Sequence, residues 1–215
     1  MTGKIKLVHS GGNSVSLAVP TSNPSASEVG FKLPQSDGSA NEFLKTDGSG
    51  NLSFAAVSAG ITMVDSWVVT ASFNSSGAAD ITSNWAKHSA GSSAFGTIGT
   101  GMTESSGIFT FPSTGIYMVQ HTASGRCHGS ARPYMGMRQF FSVDSGSSYS
   151  RSSSGYDSGH TDADHFAFQG TVIYDVTNTS TLRIKFNTEA SASTTYFGNA
   201  TNRNTGAIFI RLGDT

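Results

Sequence analysis

Charge is the scarcest property of this chain. Only 13% of its 215 residues are Asp, Glu, Lys or Arg, against roughly 25% in an average soluble domain. The 13 basic and 14 acidic residues leave a net charge of −1. No global basic field exists to hold nucleic acid, and no acidic tail is present. There is one cysteine, Cys127, which excludes an intrachain disulfide and reads as a small buried hydrophobe rather than a nucleophile. No stretch approaches the ~20 apolar residues of a membrane span, so membrane insertion is not expected. Met1 to Lys6 lacks the apolar run of a signal peptide, which predicts synthesis in a cytoplasm and release by another route, such as host lysis.

What is abundant is small and polar. There are 25 glycines, and Ser and Thr are over-used. These residues disfavour helix interiors, so the composition predicts an all-β protein without a sizeable helix. No cofactor is implied by any motif.

The first 57 residues read as a ribbon. Lys4–His9 and Val15–Val19 alternate around Gly11-Gly12-Asn13, predicting a hairpin. Further on come Asp37-Gly38, Asp47-Gly48 and Gly50-Asn51, set between short apolar runs. Asp-Gly tolerates positive φ, so each pair is expected to reverse a strand tightly. Such a ribbon has almost no core. Leu7, Val15, Leu17, Leu33, Phe43, Leu44, Leu52 and Phe54 need neighbouring chains to bury them, and two-stranded ribbons are marginal in water. Residues 55–60 read as a linker.

The wording of residues 29–56, with Lys32-Leu33-Pro34 before Asp37-Gly38 and Leu44-Lys45-Thr46-Asp47-Gly48-Ser49-Gly50-Asn51-Leu52-Ser53-Phe54 after it, resembles a segment of bacteriophage fibre proteins, especially of phages of aquatic bacteria. The resemblance implies a virion component that assembles in the host cytoplasm. Its N-terminal region would contact other virion proteins.

Residues 58–215 have the spacing of an all-β domain, short apolar strands between Gly/Ser/Asn/Asp clusters. Strands are predicted at 61–70, 107–112, 115–123, 133–143, 165–176, 182–186 and 205–212. Turns or loops are predicted at 74–80, 146–164 and 191–204, and 85–101 reads as irregular. Gly107-Ile108-Phe109-Thr110-Phe111-Pro112-Ser113-Thr114-Gly115-Ile116-Tyr117 resembles the G-x-F-x-x-P-x-x-G-x-Y step of complement-type and tumour-necrosis-factor-type jelly rolls. That likeness implies a jelly-roll β-sandwich, assembled as an intertwined homotrimer with its last strands on the three-fold axis.

The candidate chemistry is thin. His160, Asp162 and Asp164 form the cluster with metal-ligand character, against the alternative of a polar loop leading into a strand. Arg126-Cys127-His128 puts a thiol next to an imidazole, but neighbours on a strand point to opposite faces. Asp144, Asp157 and Asp175 are carboxylates available to a glycosidase. Tyr149, Arg151 and Tyr156 lie in the 146–164 segment, and Tyr196 and Arg203 in the 191–204 segment. Tyr and Arg among Ser and Gly make a recognition composition. We therefore expect a trimeric phage tail fibre that binds a host-surface glycan or glycoprotein and catalyses nothing. A capsid-decorating or head-fibre protein is the first alternative, and a small polysaccharide hydrolase the second.

Overall fold

The structure, a computed structural model, describes residues 4–18, 20–22, 24–25, 28–56, 60–88 and 97–215. Parts of the expected linker and of the irregular segment 85–101 lie outside the described residues, as does the side chain of Val15. Two compact units are present, Met1–Ser58 and Ala59–Thr215. All regular structure among the described residues is β.

The first unit holds two separate hairpins. In one, β1 (Lys4–Val8) pairs with β2 (Ser14–Ala18), with Ile5 opposite Leu17 and Leu7 opposite Val15. In the other, β3 (Glu42–Thr46) pairs with β4 (Leu52–Ala56), with Leu44 opposite Phe54. Asp47 builds the second turn. Its carboxylate accepts from the Ser49 and Asn51 backbone N–H groups at 2.8 and 3.1 Å and from Asn51 Nδ2 at 2.6 Å. These bonds, the Asn51 side chain first, hold its carboxyl below the usual range. Gly48 and Gly50 take φ of 83° and 85°, as the Asp-Gly signal predicts. Asp37-Gly38 behaves differently. Gly38 does not enter the left-handed region, and no strand flanks it. Its role is close approach: a Cβ there would lie 2.5 Å from the Phe54 ring. The apolar side chains of this unit stay exposed. Ile5, Leu7, Leu17, Phe31 and Leu33 are all above 60% accessible, and Phe43, Leu44 and Phe54 are at least 40%. Leu52 is half-buried.

The second unit is a two-layer sandwich. One layer runs β7 (Trp85–Lys87), β5 (Met63–Val69), β15 (Gly206–Gly213), β10 (Gly115–Cys127), β13 (His165–Val176), all antiparallel. The other runs β12 (Ser150–Gly159), β11 (Arg132–Ser142), β14 (Arg183–Asn199). Beside β14 lie β9 (Ile108–Thr110) at one end, with β8 (Thr103–Ser105) outside it, and β6 (Ala71–Asp80) at the other. The far end of β10 also pairs with β14 at Gly125–Cys127, joining the layers. This is a jelly roll.

Alternation drives it. On β10, every second residue from Gly115 to Cys127 is buried, the period of a strand with one face in a core. Phe109 is the hub. Trp67, Trp85, Phe186 and Phe209 surround it at centroid distances of 5.1–5.6 Å, Trp67 and Trp85 edge-on at 87° and 90°. The Phe109, Phe111 and Tyr117 of the G-x-F-x-x-P-x-x-G-x-Y step are all buried, and Tyr117 donates its hydroxyl to the Ser113 carbonyl at 3.0 Å.

Three segments read as turn or loop are strands. Residues 74–80 belong to β6, and most of 191–204 belongs to β14. Ser150–Gly159, within the expected 146–164 loop, is the edge strand β12. Its glycines mark packing against large neighbours. A Cβ on Gly155 would fall 1.3 Å from the Phe168 ring, and one on Gly159 would fall 1.9 Å from Cys127 Sγ. Small residues at close approaches erase the apolar alternation by which a strand is read.

Candidate functional site

The outward face of β12, β11 and β14 carries the polar and aromatic side chains best placed to recognise a ligand. Met135 and Met137 of β11 point into the core, so Tyr134, Gly136, Arg138 and Phe140 share the other face. Pairing registers set up three cross-strand rows: Tyr156–Gly136–Glu189, Ser154–Arg138–Asn187 and Arg151–Phe140–Lys185. In the first row the middle residue has no side chain. The Tyr156 ring lies across that gap, and its hydroxyl donates to Glu189 Oε2 at 2.6 Å. Arg138 Nη1 donates to the same oxygen at 2.8 Å, and Arg138 Nε to Asn187 Oδ1 at 3.0 Å. Burial, followed by the bond to Glu189, raises the Tyr156 phenol pKa. Tyr134 stands perpendicular to Tyr156, with centroids 6.1 Å apart at 85°. Tyr134, Tyr156 and Glu189 line a depression of about 330 Å³.

The residues expected to bind a receptor are dispersed. Tyr156 is in this depression and 43% exposed. Arg151 is exposed on β12. Tyr149 is half-buried under the Lys185 ammonium, 4.3 Å from the ring centroid. Its hydroxyl is enclosed without a partner among the described residues, and burial raises its pKa. Tyr196 is a correction. It is fully buried, stacked on Phe73 at 5.4 Å, and donates its hydroxyl to the Gly136 carbonyl at 2.8 Å. The expectation failed because 191–199 is strand, and alternation turns Tyr196 inward. Arg203 is half-buried against Gly206, beside the β5–β15 pair, with Nη1 enclosed and without a partner among the described residues. It is not part of the β12–β11–β14 face. Tyr134, Arg138 and Glu189 were not anticipated. The inward Met135 and Met137 were the signal that could have placed the first two outside.

The structure does not assemble His160, Asp162 and Asp164 into a coordination sphere. Asp164 accepts from the backbone N–H groups of His160 and Thr161 at 2.8 and 2.9 Å and from the Thr161 hydroxyl at 2.8 Å. Asp162 accepts from the Gly129 N–H at 2.7 Å. Asp164 thus organises its own loop, and Asp162 ties that loop to the β10–β11 connection. Among the described residues no group of three His, Cys, Asp or Glu side chains is placed to hold a metal ion. Cys127 is buried, which raises its thiol pKa. Asp144 caps its own turn, accepting from Ser142 Oγ at 2.6 Å and from the Ser148 N–H and hydroxyl at 3.0 and 2.6 Å. Those bonds hold its carboxyl far below the usual range, the opposite of what a general acid needs.

The other layer has an apolar outer row. Val64, Ile210, Met118 and Ile173 are successive cross-strand partners over β5, β15, β10 and β13. All four lie on the face away from the core. None is fully buried, and Ile173 is 55% exposed.

No protein-family model matches the chain, and no curated protein sequence does. Solved structures match by shape. The Eiger TNF of S. frugiperda superposes with a TM-score of 0.54 at 10% identity, over 72% of this chain and 95% of that one. Murine APRIL at pH 8.5 gives 0.48 at 12% identity, over 70% and 98%. The PRD1 vertex protein P5 gives 0.37 at 11% identity, over 72% and 100%. At 10% identity the Eiger likeness is one of fold: the second unit is a TNF-like jelly roll.

Proposed function

We propose that this chain is a bacteriophage virion protein, a homotrimeric tail fibre. Its first unit joins it to other virion proteins, and its jelly roll binds a glycan or glycoprotein on the host surface. One observation carries the reading. The segment that resembles phage fibre proteins folds into a hairpin whose Phe43, Leu44 and Phe54 remain exposed, as does Leu33 in the stretch before it. Burying a Leu or Phe side chain is worth about 1.5–3 kcal/mol, so a hairpin with these side chains in water is a segment that awaits neighbours. Other copies of the chain and adjacent virion proteins supply them.

Trimerisation is supported by the Val64–Ile210–Met118–Ile173 row, an uncharged stripe across four strands that a second copy would cover. Adhesion is supported by the aromatic and carboxylate face of β12, β11 and β14. Individual sugar contacts are weak, and three jelly rolls on each of several fibres multiply them through effective concentration. No reaction is part of this reading.

Immunogold labelling of virions with antibody to the chain tests it. Gold at the distal ends of tail fibres is the expected result. Gold spread over the capsid shell would replace the tail-fibre reading with a decorating or head-fibre role, and unlabelled virions would overturn the virion assignment.

A further inference from the structure

The depression between Tyr134, Tyr156 and Glu189 has the chemistry of one kind of ligand, and Gly136 is the reason it exists. Neighbouring strands lie about 4.8 Å apart, so Tyr156 and Glu189 are separated by two strand spacings. Any side chain between them would fill the space. A Cβ on Gly136 would meet the Gly155 carbonyl oxygen at 2.0 Å and the Tyr156 ring at 2.8 Å. With glycine there, Tyr156 lies down over β11, and the β11 backbone forms the floor. Tyr134, two residues earlier on the same face, forms the wall. The two rings are 41% and 43% exposed, so apolar surface stays open to solvent in a corner.

The carboxylate and the Tyr156 phenol in that corner face a ligand as acceptors, while the Tyr134 hydroxyl can donate or accept. Tyr156 spends its single proton on Glu189 Oε2, which leaves the phenol oxygen to receive hydrogen bonds. Glu189 Oε1 has no partner among the described residues. Arg138 fixes the carboxylate through Oε2 and offsets its charge. A ligand for this corner must therefore donate at least two adjacent protons and present a flat C–H surface to an aromatic ring. Carboxylate, sulfate and phosphate groups bring only acceptors and negative charge to it. A bare cation gains little, because Arg138 already pairs with the carboxylate. The volume sits at the low end of the ~300–1,000 Å³ typical of small-molecule sites, which suits one ring rather than an oligosaccharide.

From this geometry we infer that Tyr134, Tyr156 and Glu189 form a binding site for a single neutral pyranose, with two neighbouring sugar hydroxyls donating to Glu189 Oε1 and Tyr156 Oη while the ring's C–H face packs on Tyr134. The inference rests on the adhesive reading above and names the sugar class it takes. Gly136 and Arg138 are positioning residues, the first by leaving room and the second by holding the carboxylate.

Saturation-transfer NMR on the full chain tests it, with the methyl glycosides of glucose, galactose, mannose and N-acetylglucosamine as probes and methyl glucuronide as the anionic counterpart. At least one neutral glycoside should saturate with a dissociation constant on the order of 1 mM. Tyr134→Ala and Glu189→Gln, both at solvent-facing positions, should each weaken it about tenfold or more. Tyr134→Phe should restore it, since the wall needs only the ring. Circular dichroism of each variant checks folding. Failure of all four neutral probes, or unchanged binding in folded Tyr134→Ala, or glucuronide binding as tightly as the neutral sugars, would overturn the site. Host-cell binding by the same variants keeps the two ideas apart. Cell binding that survives Tyr134→Ala removes this site and leaves the adhesin. Sugar binding by a chain that ignores cells does the reverse.

Discussion

His121 should make this protein acid-sensitive. Its side chain is fully buried on β10, between the Phe168 and Phe186 rings at 5.5 and 5.7 Å, and among the described residues no group bonds either ring nitrogen in good geometry. Gly170 brings the opposing backbone close enough that a Cβ there would touch the imidazole at 2.5 Å. The surroundings are rings, the Gln139 amide and the Tyr174 phenol that this amide bonds at 3.0 Å. Burial pushes the Tyr174 pKa up to about 12, so no charge from it stabilises an imidazolium. Burial likewise lowers the His121 pKa from 6.5 to about 4, and the Gln139 amide offsets this only in part. Between those two values the unfolded chain holds a proton at His121 that the folded chain does not. Stability is full above pH 6.5, falls as pH drops through the window, and has lost this contribution below pH 4. At 1.36 kcal/mol per unit, a displacement of that size amounts to about 3 kcal/mol, a large part of the 5–15 kcal/mol typical of a domain. Urea unfolding at several pH values and one fixed chain concentration, for the native chain and His121→Leu, measures it. The other five histidines are common to both proteins, so the difference between the two curves isolates this site. That difference should grow by about 3 kcal/mol from pH 7 to pH 4 in favour of the leucine variant. Parallel curves would show that the imidazole is reached by water or by a partner, and would refute the reasoning.

Two further outcomes follow from the packing. Ile173→Asp places a carboxylate in the apolar outer row at a position already 55% exposed, so under the proposed homotrimer the single chain should keep its circular dichroism while sedimentation shifts from trimer to monomer; a persisting trimer would move the interface elsewhere. Gly155→Ala puts a methyl into the Phe168 ring and should cost about 1–3 kcal/mol in denaturant unfolding, whereas an unchanged midpoint would mean that β12 packs more loosely than described.

The sequence made the inward faces legible and hid the edges. The first part of β10 was visible through the apolar run Ile116-Tyr117-Met118-Val119, and β13 because Phe166, Phe168, Val172, Tyr174 and Val176 fall on alternate positions of one face. The Asp47-Gly48 turn was visible because Asp-Gly carries its own hydrogen bonding. β12 was not, since Gly155 and Gly159 replace side chains where Phe168 and Cys127 press against them. β6 and the far half of β14 share that fault, with Ser, Thr, Ala and Gly where a longer strand would show Val or Ile. The candidate site inherits it. Tyr156 and Tyr196 were both picked from composition, and one is exposed while the other is buried, because composition does not say which way a residue points. Glu189 lies 33 residues from Tyr156, and only the pairing register brings them into one row.

Binding of the labelled full chain to cells of the host bacterium, with and without periodate oxidation of the cell surface, tests the central claim most directly. The account predicts saturable binding that periodate abolishes. A folded trimer that binds neither treated nor untreated cells would contradict it.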